Sequence, residues 1–220
     1  MQVVKKILKW IGYFFLGLFV LAGIGAIFGG SDSGQPSKTE TTATKETAKA
    51  PTAPEDADTF TFKDYVQSVL MANDEPQQII EYHVSKSKTL TPADVPAVRA
   101  YISQYALTKS KDITLKTAVS WVELEKDKGV DISKKVNADK LIFNINPFDN
   151  SFRILEEMLE QTLNDPDSYE HVQTIYKFRF DDARPHVVVW SKFRANNAYG
   201  AKVLQTIDLK FDLATLKPFE

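Results

Sequence analysis

The sequence predicts an α+β protein carried behind an N-terminal transmembrane helix and a disordered linker. Three observations predict it. Residues 10–28 carry no charge. Residues 29–58 hold no aromatic residue and no aliphatic side chain larger than alanine. From Thr59 onward the apolar residues recur first at helical spacing and then, past about residue 140, largely in alternation. The organisation that follows is a cytoplasmic stub and anchor over 1–28, a linker over 29–58, a small helical region over 59–130 and an α+β domain over 131–220. In that last domain a helix packs on a three- to four-stranded antiparallel sheet.

The anchor runs from Trp10 to Phe28. As a helix it is about 28 Å long, close to the roughly 30 Å hydrocarbon core of a bilayer. Lys5, Lys6 and Lys9 precede it, and no positive charge follows over residues 29–33. The positive-inside rule then puts the N-terminus in the cytoplasm and the C-terminal bulk outside, as a single-pass cell-membrane protein. A cleaved signal peptide is the alternative, but its apolar region is shorter and ends at a small-residue cleavage site that this run does not offer clearly. The linker is built from Gly, Ser, Thr, Ala, Pro, Lys and Glu with a little Asp and Gln. Such a segment buries too little surface to offset chain entropy, and it tethers the rest near the lipid.

Composition excludes much chemistry. There is no cysteine, so no disulfide, thiolate nucleophile or Cys-based zinc site is possible. The chain has 9 glycines, of which only Gly129 and Gly200 lie beyond residue 34, so no Gly-rich phosphate loop occurs in the folded part. Lys+Arg 27 against Asp+Glu 29 gives a net charge of −2, with no electrostatic footprint for nucleic acid.

The helices are justified in order. Thr61 is a cap for a helix with Phe62, Val66, Val69 and Leu70 on one face. Pro76 opens a second helix carrying Ile79, Ile80 and Val84. Thr91-Pro92-Ala93-Asp94 starts a third, with Val95, Val98, Ile102 and Tyr105 inside. Asp112 caps a fourth, with Leu115, Val119 and Val122 inside and Gly129 as its stop.

Leu141 to Ile145 reads as a short strand. Asn150 or Ser151 caps a helix with Phe152, Leu155, Leu159 and Leu163 on one face. Asp165-Pro166-Asp167-Ser168 ends it. Val172, Thr174, Tyr176, Phe178 and Phe180 then alternate with mostly polar residues. Asp181, Asp182 and Pro185 mark a turn, His186 to Arg194 forms the next strand, and Val203, Ile207, Leu209, Phe211 and Leu213 line another. An alternating sheet of this kind has one covered face, here under the 151–163 helix.

Three stretches carry a resemblance. They are Asn146-Pro147-Phe148-Asp149-Asn150-Ser151, then Leu163-Asn164-Asp165-Pro166-Asp167-Ser168-Tyr169-Glu170, then Lys192-Phe193-Arg194-Ala195-Asn196-Asn197-Ala198-Tyr199-Gly200. Together they resemble a family of uncharacterised bacterial proteins that often sit behind a membrane anchor. The match covers about a third of the chain. Asn150 stands where that family usually has glycine, Asn196 replaces a lysine, and Ala201 replaces a second glycine. The resemblance implies an α+β module of bacterial origin and no reaction.

Candidate site residues concentrate in two places. Asp165 and Asp167 offer two carboxylates, either for a cation through oxygen ligands or as acceptors of backbone N–H groups at a turn; the turn is the favoured reading. Arg194, Asn196, Asn197, Tyr199 and Gly200 connect two strands. They either bind a carboxylate, phosphate or peptide edge, or shape a long hairpin in which Arg194 pairs with an Asp of the turn. His171 and His186 are expected as partly exposed sheet residues, and Trp121 and Trp190 as core. Glu156, Glu157 and Glu160 are expected as a solvated face. No catalytic set, metal site or cofactor is identified. The expected function is a non-enzymatic, membrane-tethered extracytoplasmic module that binds a partner protein or envelope component. The alternatives are an envelope-polymer hydrolase using Asp or Glu, and an assembly protein acting through the helical region.

Overall fold

The computed structural model describes residues 53–220. The expected span Trp10–Phe28, and the linker as far as residue 52, lie outside the described residues. Among those described, no helix is long and apolar enough to cross a membrane.

Helix α1 (Phe62–Leu70) starts where the sequence places it. The Thr61 N–H donates to the Asp64 carboxylate at 2.9 Å, and the Asp64 N–H donates back to the Thr61 hydroxyl at 3.4 Å. This reciprocal box satisfies N–H groups that have no partner inside the helix. Helix α2 (Glu75–Lys86) has Pro76 in its first turn and buries Ile79, Ile80 and Val84. Pro92–Asp94 forms a single 3₁₀ turn that leads into α3 (Val95–Thr108), which buries Val98, Tyr101 and Ile102. Helix α4 (Leu115–Asp127) buries Leu115, Val119 and Val122. Gly129 ends it at φ +81, with its N–H on the Lys126 carbonyl at 2.9 Å and the Val130 N–H on Glu125 at 3.0 Å. Glycine takes that left-handed conformation without the Cβ penalty.

Two boundaries differ from expectation. Thr114, not Asp112, caps α4: its hydroxyl accepts the Thr117 N–H at 3.3 Å. The chain before it stays extended because the Phe62 N–H binds the Ile113 carbonyl and the Leu115 N–H binds Phe60, both at 2.8 Å. The folded region also begins before Thr59. Ala57 is buried, and its carbonyl accepts from His83 Nε2 at 2.7 Å.

The expected strand at Leu141–Ile145 is instead helix α5 (Asp139–Asn144). The Asn137 side chain accepts the Asp139 N–H at 2.6 Å and starts it. A short apolar run does not distinguish a strand from a buried helix, and this one is apolar because it lies between two cores. Ile142 belongs to the core of the helical half, whereas Leu141 belongs to the core under the sheet. Only Ile145 keeps strand character, as an isolated bridge to Phe152.

Helix α6 (Arg153–Glu160) follows. Its cap position is Phe152, not Asn150 or Ser151. Asn150 takes φ +62, and the Ser151 hydroxyl donates to the Glu156 carboxylate at 2.9 Å. Glu156 is therefore half-buried rather than solvated; Glu157 and Glu160 are exposed. Leu163 lies past the helix end but still packs on the same core.

The sheet runs β1 (Glu170–Arg179), β2 (His186–Asn196), β3 (Lys202–Asp212) and β4 (Pro218–Phe219), antiparallel and in that order. Its inner face carries Val187, Val189, Phe193, Ala195 and Phe211 against Phe152, Leu155 and Leu159. A bulge between His171 and Gln173 shifts the parity of β1. His171, rather than Val172, then faces inward with Thr174, Tyr176 and Phe178, and Val172 is exposed. Trp190 is not core: it alternates with buried Val189 and Ser191 and lies half-buried on the sheet's outer face. Trp121 is likewise half-buried, beside Tyr105 on α3.

Candidate functional site

The residues singled out in the sequence meet at one end of the sheet, where β1 begins and β2 turns into β3. Asp165-Pro166-Asp167-Ser168 is a turn around a 3₁₀ segment, Pro166–Ser168. The Ser168 hydroxyl donates to the Asp165 carbonyl at 2.6 Å and accepts the Asn196 N–H at 2.8 Å. The Asn196 amide donates to the Asp165 carboxylate at 2.7 Å. Asp165 and Ser168 thus clasp the end of β2, which is the turn reading rather than a cation site. Asp167 is exposed and does not join them. Among the described residues, no group of three or more His, Asp or Glu side chains is placed to hold a metal ion.

Arg194 pairs with Glu170 at 3.0 Å, not with an Asp of the turn. The reason is register: Glu170 and Arg194 are direct cross-strand partners. Lys202 reaches the other oxygen of the same carboxylate at 2.9 Å. Donation from Lys202, then from Arg194, holds Glu170 below the usual carboxylate range.

Beyond this row the hairpin tip is built around Asn197. Its side-chain oxygen accepts the N–H groups of Tyr199 and Ala201, both at 3.0 Å. Its carbonyl accepts the Gly200 N–H at 2.9 Å, and Gly200 takes φ +78. Ala201 keeps an ordinary φ, so the loop does not need a second glycine there. The tip presents Tyr199, 95% exposed.

A second turn, the first of the three stretches that carry the resemblance but not among the candidate site residues, lies beside β1. Asn146 accepts the Phe148 N–H, and Asp149 accepts the Ser151 N–H, each at 3.0 Å. Phe148, between them, is 96% exposed. The turn is fastened to β1: the Asn150 amide donates to the Thr174 carbonyl at 3.2 Å, and the Tyr176 hydroxyl lies 2.9 Å from the Asn150 carbonyl. The signal for it was an aromatic residue inside an Asn-Pro-x-Asp turn, which has no packing partner in its own segment.

His171 supports this end. His171 Nε2 lies 2.9 Å from the Thr174 hydroxyl, and its Nδ1 lies 3.6 Å from the Asp149 carboxylate. The Thr174 and Ser191 hydroxyls beyond it are buried in the inner face. This line of groups ties a loop to a strand and exposes no nucleophile. His186, at the opposite end, packs edge-on against Phe219 at 5.4 Å.

Elsewhere, an open groove of about 350 Å³ runs between α3 and α4. Tyr105 and Trp121 line it edge-to-face at 5.5 Å, so neither ring forms a free platform with the other. Burial pushes the Tyr105 hydroxyl up to about 12. Compared with protein-family models, curated proteins and solved structures, the chain matches none.

Proposed function

We propose that this chain is a non-catalytic binding module, tethered to the outer side of a bacterial cell membrane through Trp10–Phe28, that captures a partner protein or an envelope component with the Phe148 and Tyr199 turns. Two aromatic side chains carry the reading. Each is almost fully exposed, and each stands on a turn held by side-chain-to-backbone hydrogen bonds. An exposed aromatic on a pre-organised turn binds with little ordering cost, because the backbone is already fixed. The anchor, orientation and motif resemblance of the sequence support the setting.

Four carboxylates are held by donors within the fold. Asp64, Asp131, Glu170 and Asp212 are held below the ordinary range by hydrogen-bond donors, led by Thr61, Ser133, Lys202 and Arg184 respectively. A general acid requires the opposite shift, so these four are not poised for that role.

The test is crosslinking of the full-length chain in native membranes, comparing wild type with the Phe148→Ala, Tyr199→Ala double variant. Partner yield is expected to fall at least about tenfold while the thermal melt stays within about 2 °C, since exposed positions contribute little to folding. Undiminished capture would remove both turns from the reading. A topology reporter fused after Glu220 and read in the cytoplasm would overturn the location.

A further inference from the structure

The sheet order leaves β1 at an edge, ten residues long. Residues of an antiparallel pair alternate between those that exchange hydrogen bonds with the neighbour and those that point both main-chain groups away. The Thr174 carbonyl, bound by the Asn150 amide, is of the second kind. With an unbroken register from Gln173 to Arg179, Tyr176 and Phe178 are too. Their main-chain N–H and C=O groups face outward, and among the described residues the backbone bonds formed outside the strands do not include them.

The two faces beside that edge differ in chemistry. On the inner side, Tyr176, Phe178 and Phe180 stack at centroid spacings of 6.3 and 5.2 Å and are only half-buried. On the outer side, Lys177 and Arg179 alternate with Ile175, which is 50% exposed. Lys192 and Lys210 extend the positive charge across β2 and β3, opposite Gln173 and beyond Val188 in register with Lys177. None of these four cations is in an ion pair among the described residues.

We propose that the free edge of β1 takes up an extended segment of a partner protein as an added strand, and that this segment alternates apolar and acidic residues. The proposal rests on the binding-module reading but uses the main chain of Tyr176 and Phe178, next to the point where the Asn150 turn is fastened, rather than the exposed Phe148 and Tyr199 rings. Main-chain groups of Tyr176 and Phe178 supply hydrogen bonds, the half-buried rings receive the apolar side chains, and Lys177 and Arg179 receive the acids. A second copy of the chain is a poor occupant. Antiparallel pairing about Lys177 or Phe178 sets Lys177 against itself or against Arg179, the like-charge opposition that discourages edge-to-edge pairing. The edge of β3 lacks the single-sign pattern, since its outer face mixes Lys202, already held by Glu170, with Asp208 and Lys210.

The experiment uses the full-length chain in detergent micelles and two ten-residue peptides, one alternating valine with glutamate and one alternating valine with lysine. Affinity is read by fluorescence anisotropy and location by hydrogen exchange. The glutamate peptide is expected to bind at least about tenfold tighter and to protect the amides of Tyr176 and Phe178. The Lys177→Glu, Arg179→Glu double variant is expected to reverse the preference, a gain of binding that misfolding does not produce. No binding of the glutamate peptide, equal affinity for both peptides, protection on β3 instead, or no reversal in the double variant would each overturn the proposal. The Phe148→Ala, Tyr199→Ala variant is expected to bind the glutamate peptide like wild type. Loss of membrane crosslinking with peptide binding intact therefore separates failure of one reading from failure of the other.

Discussion

The hydroxyl of Tyr65, in the first turn of α1, donates to the carboxylate of Asp139 at the start of α5. The same carboxylate takes Arg99 Nε at 2.8 Å, and Arg99 in turn reaches the Gln77 side chain at 2.9 Å. One acid thereby joins α1, α2 and α3 to the segment that leads into the sheet. Burial, reinforced by Asp139, raises the Tyr65 hydroxyl well above its ordinary value, so it stays a donor at any physiological pH.

Tyr65→Phe is therefore expected to destabilise the chain by about 1–3 kcal/mol, because the half-buried carboxylate loses a donor without losing its charge. Asp139→Ala is expected to cost more, since it strands both the Tyr65 hydroxyl and the half-buried Arg99 guanidinium. Urea unfolding measures both. A Tyr65→Phe variant as stable as wild type would show that the bond is dispensable.

Acid sensitivity has a defined sign. Asp212 accepts from Arg184 at 2.9 Å and from the Thr215 N–H and hydroxyl, and these donors hold its pKa below the ordinary 3.8. A group lowered on folding contributes stability that is complete above its unfolded value and is lost as pH falls through the folded one. Asp212→Asn is thus expected to be less stable than wild type at neutral pH, with the gap closing as pH falls below the ordinary carboxylate range. Thermal melts across pH test this; a gap independent of pH would mean that the carboxylate charge is irrelevant.

Gly200→Ala isolates a backbone cost at the hairpin tip. A Cβ at Gly200 meets nothing within 4 Å, yet φ is +78. The expected loss is about 1 kcal/mol, a fall in Tm of about 2–4 °C. Gly200→Asn is expected to lose less, because asparagine tolerates this conformation better. An alanine variant that melts with wild type would show that the tip relaxes without penalty.

The helical half was legible because its signals are local. Thr61 precedes its apolar stripe by one residue, Pro76 sits in its first turn, and Gly129 ends its helix by hydrogen bonds within five residues. Tyr65 shows where that stops: its ring follows the helical face, but the acid it meets lies 74 residues on. Leu141–Ile145 was misread for the same reason, since its apolar run reflects two cores that only the assembled chain brings to either side of α5. Among the candidate site residues, Asn197 and Gly200 shape the tip as the turn reading proposed. The partner of Arg194 depended on which strand residues stand opposite, and a single bulge at Val172 changes that.

By itself, the sequence determined the order of the parts: a charge-free run, a polar stretch, helices and then an alternating sheet. It also determined the chemistry open to them, with no thiol and only two glycines beyond residue 34. Each of those follows from residue type and near-neighbour spacing. Only the tertiary structure decided that Phe148 and Tyr199 stand in solvent, that Glu170 rather than an Asp receives Arg194, and that β1 lies at an edge of the sheet among the described residues. Exposure, pairing and edges are properties of what the rest of the chain covers, and covering is decided by strand register and packing between residues far apart in sequence.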